Sequence, residues 1–225
     1  MAPTVSAVIP VYNGARFLPF ALHSILGQSH PISEVVIVDD GSTDDLEAVV
    51  SHSRSLHPGI RCVTQDNAGA AVARNSGAAL ASGEFLAFLD ADDLWLEDKT
   101  AAQLVALAAD PALDAVFGHA EQFAEPGLEQ RIASHLRIMP AELPSAMLIR
   151  KRSFERVGPY PALRIGEPIA WLAQARARGL RSEILPSVVY RRRIHANNTT
   201  LQANAKAHYL SAVRAALSFS KTKES

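Results

Sequence analysis

Phe85-Leu86-Ala87-Phe88-Leu89-Asp90-Ala91-Asp92-Asp93 is an apolar run that ends abruptly in three carboxylates. It reads as a buried strand that releases acidic groups only at its C-terminal end, where open α/β sheets bind their ligands. Hard carboxylate oxygens suit Mg²⁺ or Mn²⁺, so one meaning of the cluster is a metal site that holds a phosphate. If the backbone stays extended, Asp90 and Asp92 point to one side and Ala91 to the other, and two carboxylates can share a cation. The alternative is local: Asp92 or Asp93 caps a helix that starts near Leu94 and runs through Leu107.

Outward from this stretch, Val5 to Val11, Glu34 to Val38, Ile60 to Thr64 and Ala115 to Gly118 join Glu84 to Leu89 as short strands rich in β-branched or aromatic residues. Between them Leu18, Leu22, Ile25 and Leu26 recur at helical spacing, and Leu46 to Leu56 and Ala70 to Leu80 are further helices. This β-α-β-α order predicts an α/β fold, a mostly parallel sheet flanked by helices. Farther on, Ser145 to Ile149 reads as a strand and Ser153 to Val157 as a short helix, while Glu121 to Pro144 lacks periodicity. Tyr209, Leu210, Val213, Ala216 and Leu217 form a helical stripe in the tail, expected to pack on its own domain.

Composition narrows the class. A chain of 225 residues can bury one sizeable core. With 48% hydrophobic and 20% charged residues and a net charge of -1, neither disorder nor nucleic-acid binding is indicated. The single cysteine, Cys62, allows no internal disulfide and fits a reducing compartment. No apolar stretch is long enough for a membrane span, and a cytoplasmic protein is expected, with contact to a membrane surface left open.

The predicted strand ends carry polar groups in succession: Pro10-Val11-Tyr12-Asn13-Gly14, Asp39-Asp40-Gly41-Ser42-Thr43, Gln65-Asp66-Asn67-Ala68-Gly69, then the acidic cluster. Gly41 permits positive φ in a tight turn, and Ser42 with Asp45 resembles a capping box. Asp39 directly follows Val35-Val36-Ile37-Val38, and its carboxylate could accept a hydrogen bond from a nucleobase N–H. Arg74 sits in an alanine-rich helix, either on a solvated face or packed closely and projecting where anions are favoured.

The series Val8-Ile9-Pro10-Val11-Tyr12-Asn13, Val36-Ile37-Val38-Asp39-Asp40-Gly41-Ser42-Thr43-Asp44, Ala73-Arg74-Asn75-Ser76-Gly77 and Phe88-Leu89-Asp90-Ala91-Asp92-Asp93-Leu94-Trp95 resembles the inverting glycosyltransferases of family 2. Order and spacing match over residues 4 to 99, and more weakly to about residue 200. The resemblance implies a Rossmann-like GT-A type fold in a single domain over residues 1–202. Its nucleotide-sugar half would span about 1–118 and its acceptor half about 119–202, before a C-terminal helix and tail over 203–225. It further implies a nucleotide-diphosphate-sugar donor, with UDP the first expectation, an unidentified acceptor hydroxyl and Mn²⁺ or Mg²⁺. Pro10, Tyr12 and Asp39 would face the base, Asp66 and Arg74 would border the nucleotide, Asp90 would meet the ribose, and Asp92 would hold the metal.

Inverting transfer needs a general base for the acceptor hydroxyl, and the family commonly uses an Asp in a Glu-Asp pair, or one slightly later, before a Trp or Tyr. Here the segment reads Arg164-Ile165-Gly166-Glu167-Pro168-Ile169-Ala170-Trp171-Leu172, with Pro168 and Ala170 at the two expected Asp positions. Glu167 is the acid left in the motif and the candidate base, with Asp93 as a substitute. Val188-Val189-Tyr190-Arg191-Arg192-Arg193-Ile194-His195-Ala196-Asn197-Asn198-Thr199 resembles the family's closing segment. If extended, it sets Arg191, Arg193 and His195 on one face, which is either a solvated basic run or a source of cations such as Arg193 for a diphosphate, with His195 a third metal ligand or a further diphosphate contact. A donor-binding protein that has lost its base is the alternative function. A nucleotidyltransferase or a dinucleotide oxidoreductase is disfavoured because no glycine-rich phosphate loop follows the first strand.

Overall fold

The computed structural model describes residues 2–128, 138–196 and 198. Its first half alternates as predicted: β1 (Val5–Val11), α1 (Leu18–Leu26), β2 (Glu34–Asp39), α2 (Leu46–Leu56), β3 (Ile60–Thr64), α3 (Ala70–Leu80) and β4 (Phe85–Phe88). These strands lie in the order β3-β2-β1-β4, all neighbours parallel. All seven residues of β1 are buried, because helices cover both faces of a parallel sheet. Gly77 brings α3 close to that sheet: a Cβ there would stand 2.3 Å from Val8 Cγ1 and 3.2 Å from Val38 Cγ2.

The second half extends the same sheet with mixed pairing. It comprises β5 (Leu94–Trp95), α4 (Lys99–Ala109), β6 (Ala115–Ala124), β7 (Ile138–Ala141), a 3₁₀ turn (Pro144–Ala146), β8 (Leu148–Arg150), α5 (Lys151–Val157), α6 (Glu167–Ala177) and β9 (Ser182–Ile194). The order continues β4-β8-β6-β9-β5, with β7 also on β6. β6 and β9 run parallel, whereas β4–β8, β6–β8, β6–β7 and β5–β9 are antiparallel.

Several local expectations change. Leu94 and Trp95 form a strand against Arg191 and Tyr190 of β9 instead of opening a helix. Helix α4 begins at Lys99 behind Asp98, so neither Asp92 nor Asp93 caps it. Part of the segment expected to lack periodicity is ordered by pairing: β6 continues to Ala124 and takes up β7. The strand expected over Ser145 to Ile149 starts only at Leu148, after the 3₁₀ turn. The tail stripe and the C-terminal helix and tail expected over residues 203–225 lie outside the described residues.

The chain leaves β1 toward β2 on one side and returns through α3 to β4 on the other. This reversal opens a crevice at the C-terminal ends of β1 and β4, where ligands of such sheets bind.

Candidate active site

The loops after β1 and β2 clasp each other at that crevice. Asn13, in the left-handed region at φ 51°, accepts at Oδ1 from the Thr43 N–H at 2.7 Å, and its own N–H donates to Ser42 Oγ at 2.9 Å. The Ser42 N–H donates to Asp39 Oδ1 at 2.8 Å, an Asx-type turn that orients the carboxylate at the strand end. Ser42 thus ties two loops together. The expected capping box is absent, since α2 has Asp45 at its N-cap position with no side-chain cap bond. Gly41 does adopt the positive φ expected of it, 78°. Pro10 is buried in β1 opposite Val38, whereas Tyr12 is exposed beside the clasp.

The acidic strand end does not stay extended. The Asp93 N–H donates to Asp90 O at 3.0 Å, closing a turn over Ala91 and Asp92. Asp90 and Asp92 therefore meet different partners, which corrects the expectation of two carboxylates on one side. Asp90 Oδ1 accepts from Arg74 Nη2 at 2.5 Å. Asp92 Oδ2 lies 2.9 Å from His195 Nε2 and accepts from Asn198 Nδ2 at 3.3 Å.

Asp93 turns inward and is 4% exposed. Its Oδ1 accepts from the Arg193 N–H at 3.0 Å, and Oδ2 accepts from Ser145 Oγ at 3.4 Å. Burial, reinforced by the charges of Asp92 and Asp90, pushes its carboxyl well above the usual carboxylate range despite the Arg193 N–H. Both of its oxygens are thus engaged, which counts against its place as the substitute base.

Arg74 is packed, not solvated, at 3% exposure. Its Nη1 donates to Glu167 Oε1 at 2.7 Å while Nη2 holds Asp90, so one guanidinium bridges positions 93 residues apart and 16 residues apart in sequence. Burial alone works against its charge, but Asp90 and Glu167 more than offset that and raise its pKa further. Glu167 arrives because Gly166, left-handed at φ 83°, starts α6 and turns its first residue inward, with Pro168 following where no N–H bond is lost. Glu167 is 7% exposed. Among the described residues its Oε2 has no hydrogen-bond partner.

On the other flank, Arg193 Nε donates to Asp92 O at 2.9 Å, and its guanidinium lies 4.6 Å from the Phe123 ring centroid and 5.1 Å from that of Phe17. Arg191 also lies over Phe123, at 4.7 Å, and pairs with Glu121 at 2.7 Å. His195 is buried with the Phe17 ring 4.8 Å away. Its backbone N–H donates to Asn198 Oδ1 at 2.6 Å, which helps hold Asn198 beside Asp92.

Whether Asp92 and His195 suit a divalent cation can be tested on their spacing. Adjacent ligand atoms of an octahedral ion at 2.0–2.1 Å lie about 3 Å apart. The 2.9 Å separation of Asp92 Oδ2 and His195 Nε2 meets that requirement; the carboxylate suits Mn²⁺ or Mg²⁺, while the imidazole suits a transition-metal ion better than Mg²⁺. Among the described residues no third Asp, Glu, His or Cys joins them. Such ions usually take one or two protein carboxylates and complete their shell with substrate phosphates and water.

Ten sequence candidates thus distribute unevenly. Arg74, Asp90 and Glu167 form one cluster, and Asp92, Arg193 and His195 a second beside it. Pro10, Tyr12 and Asp39 border the β1–β2 clasp. Asp66 stands exposed in the β3–α3 loop and bonds to none of the other nine. Two residues carry contacts that the sequence pattern assigned no role: Asn198, at the end of the closing segment, and Asn75, beside Arg74.

Residues 6–165 match the family model described as Glycosyl transferase family 2. A Bacillus subtilis (strain 168) protein named as a teichuronic acid biosynthesis glycosyltransferase, TuaG, is 43% identical over 103 residues, covering 45% of this chain and 41% of its own length. The chain spans about two-fifths of that relative. Among solved structures, S. aureus TarS 1-349 in complex with UDP-GlcNAc superposes with a TM-score of 0.76 at 19% identity, over 96% of this chain and 66% of that one. The mannosyltransferase PcManGT from Pyrobaculum calidifontis, in complex with GDP-Man and Mn²⁺, gives 0.72 at 25% identity, over 95% and 65%.

Proposed function

The chain belongs to glycosyl transferase family 2, and from that premise we propose that it transfers a sugar, with inversion, from a nucleoside-diphosphate sugar to an acceptor hydroxyl with a divalent cation present. The observation that carries the proposal is the split strand end, with Asp90 held beside Glu167 through Arg74 and Asp92 beside His195. The first pairing suits a reacting sugar with a base nearby. The second suits a diphosphate.

Asp39, fixed by Ser42, would accept from a base N–H while Pro10 and Tyr12 flank the ring; uracil is our first choice. Asp66 and Arg74 would border the nucleotide, and Asp90 would accept from ribose hydroxyls. Mn²⁺ or Mg²⁺ held by Asp92 and His195 would supply Lewis-acid neutralisation of the departing diphosphate. Arg193 would add a charge-assisted donor to the same oxygens. Glu167 would take the acceptor proton at Oε2 as the hydroxyl attacks the anomeric carbon, since Oε1 is engaged by Arg74. A base-less donor-binding protein has less support, because Glu167 lies within one guanidinium of Asp90 despite Pro168 and Ala170.

A mass-spectrometric screen of nucleotide sugars with Mn²⁺, scoring hydrolysis and transfer, tests the activity. Calorimetry tests the metal: Asp92→Asn abolishes Mn²⁺-dependent UDP binding while the fold persists. Unchanged, metal-dependent affinity in that variant refutes the metal assignment.

A further inference from the structure

We propose that Arg74 is a positioning residue for Glu167: a single guanidinium sets the candidate base at a fixed place relative to Asp90, so the donor side of the site aligns the acceptor side. The inference rests on the functional reading above and adds a division of labour to it. Arg74 reaches Glu167 through Nη1 at 2.7 Å and Asp90 through Nη2 at 2.5 Å, two branches of one rigid plane. Moving either carboxylate therefore moves or breaks the other bond. With Arg74 and Glu167 both buried, water cannot replace a lost partner.

A second contact from the same helix supports this role. Asn75 Nδ2 donates to Tyr160 O at 2.9 Å, and the Tyr160 N–H donates to Asn75 Oδ1 at 2.8 Å. Adjacent residues of α3 thus grip the α5–α6 connection at Tyr160 and its end at Glu167. Tyr160 is itself wedged against Phe88, Phe154 and Trp171, at centroid distances of 5.8, 5.7 and 5.1 Å. The segment delivering Glu167 is anchored at both ends, a degree of order that a solvated glutamate does not need. Proton transfer does need it, because the acceptor oxygen must be met at hydrogen-bond distance.

The test compares wild type, Arg74→Lys, Glu167→Gln and the double variant. UDP and GDP affinity is measured by calorimetry with Mn²⁺, and turnover of UDP-GlcNAc or GDP-mannose is followed across pH. Lysine keeps the charge but cannot span both carboxylates. Arg74→Lys is expected to lower kcat about 10- to 100-fold with a smaller change in nucleotide affinity, since misplacement of about 1 Å is worth that much. The double variant is no slower than Glu167→Gln alone.

An increase in KM with unchanged kcat overturns the inference, as do multiplicative losses in the double variant. If Arg74→Lys fails to fold, Glu167→Asp replaces it, withdrawing the carboxylate by one methylene, with the same expected kcat loss and unchanged nucleotide affinity. Wild-type protein without affinity for either nucleotide refutes the functional reading itself. Nucleotide binding with an unaffected kcat in these variants refutes the positioning role alone.

Discussion

Gly77→Ala puts the packing of α3 on the sheet to a direct test. The added Cβ would stand 2.3 Å from Val8 Cγ1 and 3.2 Å from Val38 Cγ2, whereas carbon atoms pack best at about 3.5–4.0 Å. Val8 is fully buried in β1 between β2 and β4, so its side chain has nowhere to retreat and the helix must lift. Overpacking of this kind costs about 3 kcal/mol at the upper end of its range, and removing a helical glycine returns about 1 kcal/mol. The net loss is about 2 kcal/mol, a fall in Tm of about 4–8 °C for a chain of this size. Thermal unfolding followed by circular dichroism measures it. Adding Val8→Ala should restore part of the loss by vacating the contested space, although that change opens a cavity of its own. Because Arg74 lies one turn before Gly77, the lifted helix should also lower turnover. An unchanged or higher Tm in Gly77→Ala would refute the claimed close approach.

Two further outcomes follow from other groups. For Glu34, burial alone would raise the carboxyl, but donation from Ser6 and Ser82 together with Arg61 lowers it from 4.5 to about 2. A depressed folded pKa contributes stability above the unfolded value that is lost as pH falls toward 2. Glu34→Gln should therefore be less stable than wild type at pH 7, with the difference closing between pH 4.5 and pH 2; a pH-independent difference in urea unfolding contradicts this. Burial, with Asp39 and Glu47 nearby, pushes the Cys62 thiol up to about 11, which leaves little thiolate at pH 8. Alkylation by iodoacetamide at that pH should be far slower in folded than in urea-unfolded protein, and equal rates would refute the assignment.

Much of the first half of the chain was legible because its signals are local. The apolar runs of β1 and β3 and the periodicity of α2 and α3 coincide with the observed elements, since helical and extended periods differ sharply over a few residues. Leu94 and Trp95 misled because two residues carry no period, and they become a strand only when β9, almost a hundred residues later, arrives beside them. The segment from Glu121 onward lacked periodicity for a related reason: β6 pairs with β7, β8 and β9 at once, so its faces are set by three partners rather than by alternation.

The sequence by itself determined which residues stand at the strand ends, and the order of four motifs was enough to indicate a nucleotide-sugar site. It could not determine how the acidic cluster divides. An extended Asp90-Ala91-Asp92 would aim both carboxylates one way, but the turn closed by the Asp93 N–H sends Asp90 to Arg74 and Asp92 to His195. Nor could it say where Glu167 turns, with Pro168 and Ala170 following it in the motif. That was decided by tertiary structure, because a buried guanidinium must satisfy its charge and the left-handed turn at Gly166 delivers Glu167 to it.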